Sequence, residues 1–534
     1  MRVRAAIWVA SLYAGSVAGI LGLVLLMRLN PDIEPSARTF FVGVPLWMGW
    51  GAFLIGIPLG LGAWVIGRSL HARGWGVSEG TVALLTLVLC LAAILSWVNA
   101  EIHPEFLSET GSRQLRQDAV MWFSAALMMI AVHRWWRRMK RRRWIASVML
   151  LLIILLPVGR MVGEPTSFFK SLEVKVQPLD RSARPLLVCG IEGLDISVLL
   201  TQGGGRNLSN FDRLIEEGAR GPLSPFRPFL DQAHWTTMAT GTLPRTHGVM
   251  FRWGWQYPVA FDGTLRLLPW TPQGSRLFLA WDRGIRVAPP PSTVPPLWQR
   301  MAFSQTPTTI LDWPGIWDEG AAVRRVRPPL DPWATGHSLE ASLGAILVGN
   351  FPRAASEILS TLRKDEARVE QARLALEAGR ENVWLSLHTL AVGRRLLEPH
   401  RTGETGRREA LALVLELVDD QIGRLMDALP EDGLVAVVSP YGFALPDPLE
   451  RLRRLLGFGG NWRASAEGCP EGALFLVGEG VAAGQRLAPV GLEDMAPTLC
   501  YLLDLPVAQY MEGRVILEAV EPEWLATHPL RVVE

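Results

Sequence analysis

The stretch "LVAVVSPYGF", Leu434 to Phe443, has the composition of a buried strand that ends in a tight turn. Leu434 to Val438 is a β-branched apolar run without charge, and "PYGF" turns away after Ser439. In α/β folds, ligands bind at the carboxyl ends of such strands. Proline and tyrosine are not usual metal ligands, so this strand end has the form of an active-site edge without metal-binding side chains.

Similar apolar runs and amphipathic segments alternate from about residue 180 onward. Strands are predicted in "RPLLVCGIEGLD" (184–195), "TPTTILDWPG" (306–315) and "ENVWLSLHTL" (381–390). Helical spacing of apolar residues marks "NLSNFDRLIEEGAR" (207–220) and "RREALALVLELVDDQIGRLMDAL" (407–429). This alternation predicts an α/β domain with a mostly parallel sheet covered by helices on both faces, in three layers. The proline-rich "RVAPPPSTVPPLW" (286–298) indicates an insertion or cap within that domain.

The beginning of the chain is more apolar than the rest. A bilayer core requires about 20 mostly apolar residues per helix. The first three of five apolar runs meet this length, the fourth is short, and the fifth contains Pro157 and Arg160, so the last two could instead be interfacial or buried in a soluble fold. The runs are Ala5–Met27, Phe40–Gly67, Thr81–Val98, Ala119–Val132 and Ile145–Val162. We predict a membrane domain of about five helices in residues 1–165 and a second domain in residues 180–534.

The charges of the connecting loops predict the orientation of these helices. The loops "GRSLHARG" (67–74) and "HRWWRRMKRRRW" (133–144) are basic, whereas "NAEIHPEFLSETG" (99–111) is acidic. Because Lys and Arg concentrate on the cytoplasmic side, we expect a cytoplasmic amino terminus and an extracytoplasmic second domain in a bacterial-type inner membrane. The second basic loop could bind nucleic acid, but its position between two apolar runs favours a topology anchor.

The charge and the cysteines exclude other classes of partner and cofactor. The net charge of the 534-residue chain is only +2, which gives no overall signal for nucleic-acid binding. Its four cysteines form no CxxC pair and indicate neither a zinc site nor a disulfide framework: they are Cys90, Cys189, Cys469 and Cys500. The expected partners are the lipid bilayer and other membrane or extracytoplasmic proteins, and not nucleic acid.

Two further motifs carry a resemblance to a known family. They are "GIEGLD" (190–195) and "LDQAHWTTMATGTLPRTHGV" (230–249). Together with "LVDDQIGRLMDALPEDGLVAVVSPYGF" and "LEDMAPTLCYLLDLPVAQYMEGRVI", they resemble the type I phosphodiesterases of the alkaline phosphatase superfamily over nearly all of residues 184–517. The membrane anchor with an external domain also resembles phosphoethanolamine and lipoteichoic-acid transferases of that superfamily.

The resemblance implies an alkaline-phosphatase-like fold, two metal ions, usually zinc, and a Thr or Ser nucleophile. When each family position is carried onto this chain, the first metal-binding Asp falls at Glu192 and the nucleophile at Asp231. The remaining ligand positions hold residues that do not normally bind zinc: Leu390, Arg394, Pro440, Tyr441 and Gly468. We therefore expect no metal, no other cofactor and no catalytic residues.

Other polar residues near these positions have open interpretations. His388 is interpreted as a strand or core histidine, and His247 as structural. His234 could contact a bound anion or could be a polar residue at a helix start. Arg394 and Arg395 could pair with Glu192 or Asp231 and replace lost metal charge.

Two functions follow from these positions. The first is a membrane-anchored phosphodiesterase-like protein that is catalytically inactive and serves as a binding or assembly subunit. The alternative is an active phosphodiesterase or phospholipid-headgroup phosphotransferase with a rearranged site that uses Asp231, Glu192 and Arg394.

Overall fold

In the computed structural model, the chain divides into two compact units. One contains residues 1–170 and 252–289, and the other contains residues 171–251 and 290–534. Residues 252–289 thus group with the amino-terminal helices, and the sequence-based boundaries at 165 and 180 remain a prediction. The structure describes residues 2–30, 33, 36–63, 77–138, 184–202, 207–227, 229–250, 254–256, 263–265, 267, 269, 285–287, 292–303, 307–314, 323–325, 338–379, 382–397, 405–443 and 470–533.

The first unit contains four helices long and apolar enough to cross a membrane, counted over its described residues. Its helices are α1 (Arg2–Leu29), α2 (Val44–Gly51, between π-helical Thr39–Gly43 and Ala52–Gly56), α3 (Val77–Ile102) and α4 (Glu109–Arg138). The candidate span in α4, Glu109–Trp135, is longer than the short fourth run that the sequence indicated. The fifth run, Ile145–Val162, lies outside the described residues.

Glycines let α1 approach the second span at backbone distance. A Cβ added to Gly51 would lie 2.0 Å from the carbonyl oxygen of Gly15, and one added to Gly19 would lie 2.0 Å from that of Trp47. Small residues allow this close packing between membrane helices, where van der Waals contact replaces the hydrophobic effect.

Residues 252–289 contribute a small antiparallel sheet to the first unit: β3 (Gly254–Gln256), β4 (Thr264–Leu265) and β5 (Ile285–Val287). The Asn30 side chain, just beyond α1, holds the backbone of Leu267 through two hydrogen bonds. Its Nδ2 donates to the Leu267 oxygen at 2.6 Å, and its Oδ1 accepts from the Leu267 nitrogen at 2.8 Å. Leu267 therefore lies at the carboxyl end of α1.

The second unit is built on an eight-stranded mixed sheet. Its strands are β1 (Leu186–Ile191), β2 (Ala219–Ser224), β6 (Thr308–Leu311), β7 (Val323–Arg325), β8 (Asn382–Leu387), β9 (Leu434–Ser439), β10 (Gly472–Val477) and β11 (Val490–Gly491). They lie in the order β11-β2-β10-β9-β1-β8-β6-β7. β10 is antiparallel to its neighbours β2 and β9, and the other pairs are parallel. Near the carboxyl end of the chain, β12 (Val507–Ala508) and β13 (Val532–Val533) form a separate two-stranded parallel sheet.

Helices cover both faces of this sheet, and a separate apolar core fills each side. The helices are α5 (Ile196–Gln202), α6 (Ser209–Glu217), α7 (Asp231–Thr240), α8 (Pro244–His247), α9 (Leu297–Phe303), α10 (Ser338–Asn350), α11 (Pro352–Glu377), α12 (Thr389–Leu397), α13 (Thr405–Ala428), α14 (Met495–Leu502) and α15 (Pro522–Thr527). Alternate residues of one strand enter opposite cores: Leu186 and Val188 pack on one side, Leu187 and Cys189 on the other. The predicted three-layer α/β/α fold is confirmed.

Candidate functional site

Polar side chains follow four neighbouring strands of the sheet at their carboxyl ends. Glu192 follows β1, His388 follows β8, Asp312 follows β6, and Tyr441 lies two residues beyond β9. Because β9, β1, β8 and β6 are adjacent and parallel, their ends meet at one edge. In open α/β sheets this edge is where ligands bind.

Tyr441 joins the two carboxylates that the sequence placed at the first metal position and at the nucleophile. Its hydroxyl lies 2.7 Å from Asp231 Oδ1 and 3.3 Å from Glu192 Oε1. The indole N–H of Trp235, one turn further along α7, donates to the same Asp231 oxygen at 3.0 Å. The structure thus brings Glu192, Asp231 and Tyr441 together, with protein donors directed at both carboxylates.

His388 supplies a positive charge at this edge. Its Nδ1 lies 2.7 Å from Glu192 Oε2, and its Nε2 lies 3.4 Å from Asp312 Oδ2. Burial by itself lowers the pKa of His388, but the hydrogen bonds to Asp312 and Glu192, with the charges of Glu192 and Asp365, raise that pKa to about 10. The imidazole is therefore protonated at neutral pH and forms an ion pair with Glu192.

A further carboxylate, that of Asp365, fixes the position of the His388 backbone. Buried Asp365 of α11 accepts hydrogen bonds from the backbone nitrogens of His388 and Thr389 at 2.8 and 2.7 Å, and so caps the start of α12. Arg368 pairs with both Asp365 and Asp312. Asp312 has a φ of +56°, a conformation that L residues rarely adopt and that indicates local backbone strain.

Arg394 is buried, but it does not pair as the sequence suggested. Its Nη1 donates to Asp195 Oδ2 at 2.5 Å and to the Gly193 carbonyl at 2.8 Å. Burial raises the pKa of Asp195, but the charge and hydrogen bonds of Arg394 outweigh this and lower it. The expected pairing of Arg394 with Glu192 or Asp231 is wrong for the described contacts, because the turn at Gly193 (φ +81°) places Asp195 beside the guanidinium.

The neighbouring Arg395 also pairs elsewhere, with the Glu357 carboxylate on α11. It lies on the exposed side of α12, whereas Arg394 lies on the buried side. Neither arginine therefore supplies a charge to the Glu192–Asp231 pair among these contacts.

The other sequence-selected positions differ in what they offer. Leu390 is fully buried in the apolar core, Pro440 is buried and carries no donor atom, and Gly468 lies outside the described residues. The His234 ring is packed between Phe226 and Phe229, at centroid distances of 4.1 and 4.7 Å. Its nitrogens face the carbonyls of Leu230 and Phe226, so it behaves as a residue of the helix start rather than as an anion ligand.

His247 has a structural role, as the sequence indicated. Its Nδ1 accepts a hydrogen bond from the Val249 nitrogen at 3.0 Å, and its Nε2 lies 3.0 Å from the Thr237 hydroxyl. Burial, with the nearby His234, lowers the pKa of His247 to about 3, so the ring stays neutral and joins α8 to α7.

The side chains at this edge do not fit the zinc pair that the sequence resemblance implies. A zinc ion needs about four Cys, His or carboxylate ligands. Glu192 and Asp231 accept protein hydrogen bonds, protonated His388 has no free lone pair, and Arg394 is cationic. No group of three or more His, Cys, Asp or Glu side chains suited to a metal ion occurs in the described part of the chain.

A match to a protein-family model identifies the family of this chain. The model described as type I phosphodiesterase / nucleotide pyrophosphatase matches residues 186–484, more than half of the chain. The chain belongs to this family. The matched residues begin at β1 and include the four strands β1, β6, β8 and β9, at whose carboxyl ends the polar side chains lie.

The chain also has more distant likenesses to one curated protein and to solved structures. A 2,3-bisphosphoglycerate-independent phosphoglycerate mutase of Desulforudis audaxviator is 34% identical over 127 residues, which cover 22% of this chain and 22% of that relative. Murine ectonucleotide pyrophosphatase/phosphodiesterase 5 is similar in structure at 10% identity, with 63% of this chain and 100% of that one covered and a TM-score of 0.41. A 2-O GAG sulfatase is similar at 12% identity, with 63% and 74% covered and a TM-score of 0.38.

Sequence reasoning missed three residues of the polar edge. His388 was interpreted as a core histidine, and Asp312 and Asp365 were not selected. The first two carry a usable signal, because each directly follows a predicted strand in "VWLSLH" and "TTILD". Asp365 carries none, since it lies within the long helix α11 and reaches the site only through packing.

Proposed function

We propose that this chain is a membrane-anchored, catalytically inactive member of the phosphodiesterase family that serves as a binding or assembly subunit at the membrane. One observation carries this proposal: Glu192, at the family's first metal position, is neutralised by the protonated imidazole of His388. An internal cation thus does for the carboxylate what a metal ion does in a two-metal site.

The groups at the nucleophile position also argue against turnover. Asp231 Oδ1 accepts hydrogen bonds from Tyr441 and Trp235, which hold the side chain in place. A phosphodiester that approached Asp231 would be repelled by this carboxylate, and the nearby cation of His388 is already paired with Glu192. Without metal ions to clamp its oxygens, the transition state lacks a stabilisation of several kcal/mol.

Metal analysis and an assay with an aryl phosphodiester test the inactivity. The full chain, purified in detergent without chelators, is expected to hold no stoichiometric zinc and to give no hydrolysis above that of an Asp231→Asn variant. Two equivalents of zinc, or turnover that disappears in Asp231→Asn, would establish the alternative: an active phosphodiesterase or phosphotransferase that uses Asp231 and Glu192.

We also propose that the second unit is extracytoplasmic, in a bacterial-type inner membrane. The basic and acidic loops support this orientation. The contact of Asn30 with Leu267 adds support, since it holds Leu267 at the carboxyl end of α1, which this topology places outside the cytoplasm. In a variant whose four native cysteines are replaced by serine, a membrane-impermeant thiol reagent on intact spheroplasts should label Gln485→Cys and not Arg73→Cys. The reverse pattern would contradict the orientation.

An assembly role predicts a stable complex in the native membrane. After extraction in a mild detergent, the protein mass of the particle, with bound detergent subtracted, is expected to exceed the 59.0 kDa of one chain. A monodisperse particle of a single chain, at native expression level and in several mild detergents, would contradict the assembly role without affecting the inactivity.

A further inference from the structure

Arg300 is a buried cation outside the polar edge. It lies on α9 between the sheet and the carboxyl-terminal helices, and only 3% of it is exposed. Within the residues that the structure describes, no carboxylate forms an ion pair with it, and its Nη1 has no hydrogen-bond partner. A buried charge without a counter-ion is costly, because neutral neighbours do not fully replace the lost hydration.

The polar neighbours of Arg300 are Tyr510 and Cys500. The guanidinium carbon lies 5.7 Å from the centre of the Tyr510 ring, and the guanidinium is within hydrogen-bonding reach of the Tyr510 hydroxyl and the Cys500 thiol. Cys500 is fully buried on α14. Burial raises the pKa of Cys500 to about 11 and that of Tyr510 to about 12, against the opposing charge of Arg300.

All three groups can therefore donate hydrogen bonds at neutral pH. A guanidinium has five N–H donors and no acceptor, and a neutral phenol and a neutral thiol each carry one further proton. The three groups combine one positive charge with a surplus of donors, which is the chemistry that recognises an anion.

We propose that Arg300, Tyr510 and Cys500 form a binding site for a small monovalent anion of the size and charge of chloride. The surroundings decide the class of anion. Trp298, Met301 and Met511 belong to the apolar core beside these groups. A phosphate dianion needs more donors and more compensating charge than one arginine supplies. The site shares no residue with the Glu192 network, so the proposal does not depend on the inactivity of the phosphodiesterase domain.

Chloride-dependent stability of the full chain in detergent tests this site. Melting is measured from 1 to 300 mM sodium chloride, with sodium gluconate keeping the ionic strength constant. Above the dissociation constant, a ligand of the folded state should raise the melting temperature of wild type by about 1–2 °C per tenfold rise in chloride. Arg300→Met removes the charge with similar volume and should abolish this dependence.

Two controls separate a specific site from general salt effects. Arg245→Met removes an arginine that pairs with Glu512 at the surface, and should keep the chloride dependence of wild type. Tyr510→Phe keeps the ring and removes only the hydroxyl, and should shift the dependence to higher chloride. If Arg300→Met fails to fold, crystals of wild type soaked in bromide should show an anomalous peak beside Arg300 Nη1. Equal chloride dependence in wild type and Arg300→Met, or no bromide peak at that atom, would overturn the proposal.

Discussion

Raising the pH from 7 to 10 should destabilise the phosphodiesterase domain through His388. The folded-state pKa of about 10 is higher than the usual 6.5, so the stabilisation is complete below pH 6.5 and is lost as the pH rises through 10. Each pH unit within that window removes up to ~1.4 kcal/mol, which gives a loss on the order of 3 kcal/mol between pH 7 and pH 10. The causes are the hydrogen bonds to Asp312 and Glu192 and the charges of Glu192 and Asp365, all of which favour a protonated imidazole.

Urea unfolding of the full chain in detergent, at pH 7, 8, 9 and 10, measures this loss. Four tryptophans of the domain pack edge to face, with centroids 4.9 to 6.2 Å apart, and should report its unfolding by fluorescence: Trp235, Trp298, Trp313 and Trp384. His388→Gln keeps hydrogen-bonding capacity but cannot ionise. It should be less stable than wild type at pH 7, and the difference should shrink toward pH 10.

A matched control removes a histidine outside the network. His528 stacks on Trp524 near the carboxyl end of the chain, and His528→Gln should leave the alkaline loss unchanged. If wild type and His388→Gln lose stability in parallel between pH 7 and pH 10, His388 is not the charged partner of Glu192 and the argument for an internal cation fails.

Three further perturbations test other parts of the fold. Arg394→Ala leaves buried Asp195 without its partner and should cost about 3–5 kcal/mol in chemical unfolding, whereas Arg395→Ala removes an exposed pair and should cost about 0–1 kcal/mol; equal costs would contradict the assignment of the two arginines. Gly190→Ala places a Cβ 2.5 Å from the Trp235 ring and should cost about 1–3 kcal/mol, visible as a lower urea midpoint; an unchanged midpoint would show that the indole can move. The folded-state pKa of His247, about 3, is lower than its usual value, so folding favours the neutral ring. Stability should therefore fall by up to ~3 kcal/mol as the pH decreases from 6.5 to 4. His247→Gln should flatten that decrease in acid unfolding curves, and an equally steep decrease would refute the assignment.

The sequence by itself determined the architecture, and it predicted that several family ligand positions lack metal-binding side chains. The strands in "LLVCGI", "NVWLSL" and "LVAVVS" follow from continuous β-branched and apolar runs, which can be buried on both faces only in a covered parallel sheet. The prediction that Leu390 and Pro440 bind no metal also follows from the sequence alone. A side chain without a donor atom cannot bind zinc in any conformation, so no tertiary information was needed.

Only the tertiary structure decided which groups contact Glu192 and Arg394. His388 and Glu192 are 196 residues apart, and Arg394 and Asp195 are 199 apart, so no local pattern reports either pair. Which arginine pairs with which carboxylate depends on the turn at Gly193 and on the face of α12 that packs against the sheet. The charge of His388 depends on burial and on carboxylates from three other segments of the chain, a balance that exists only once the strands are assembled.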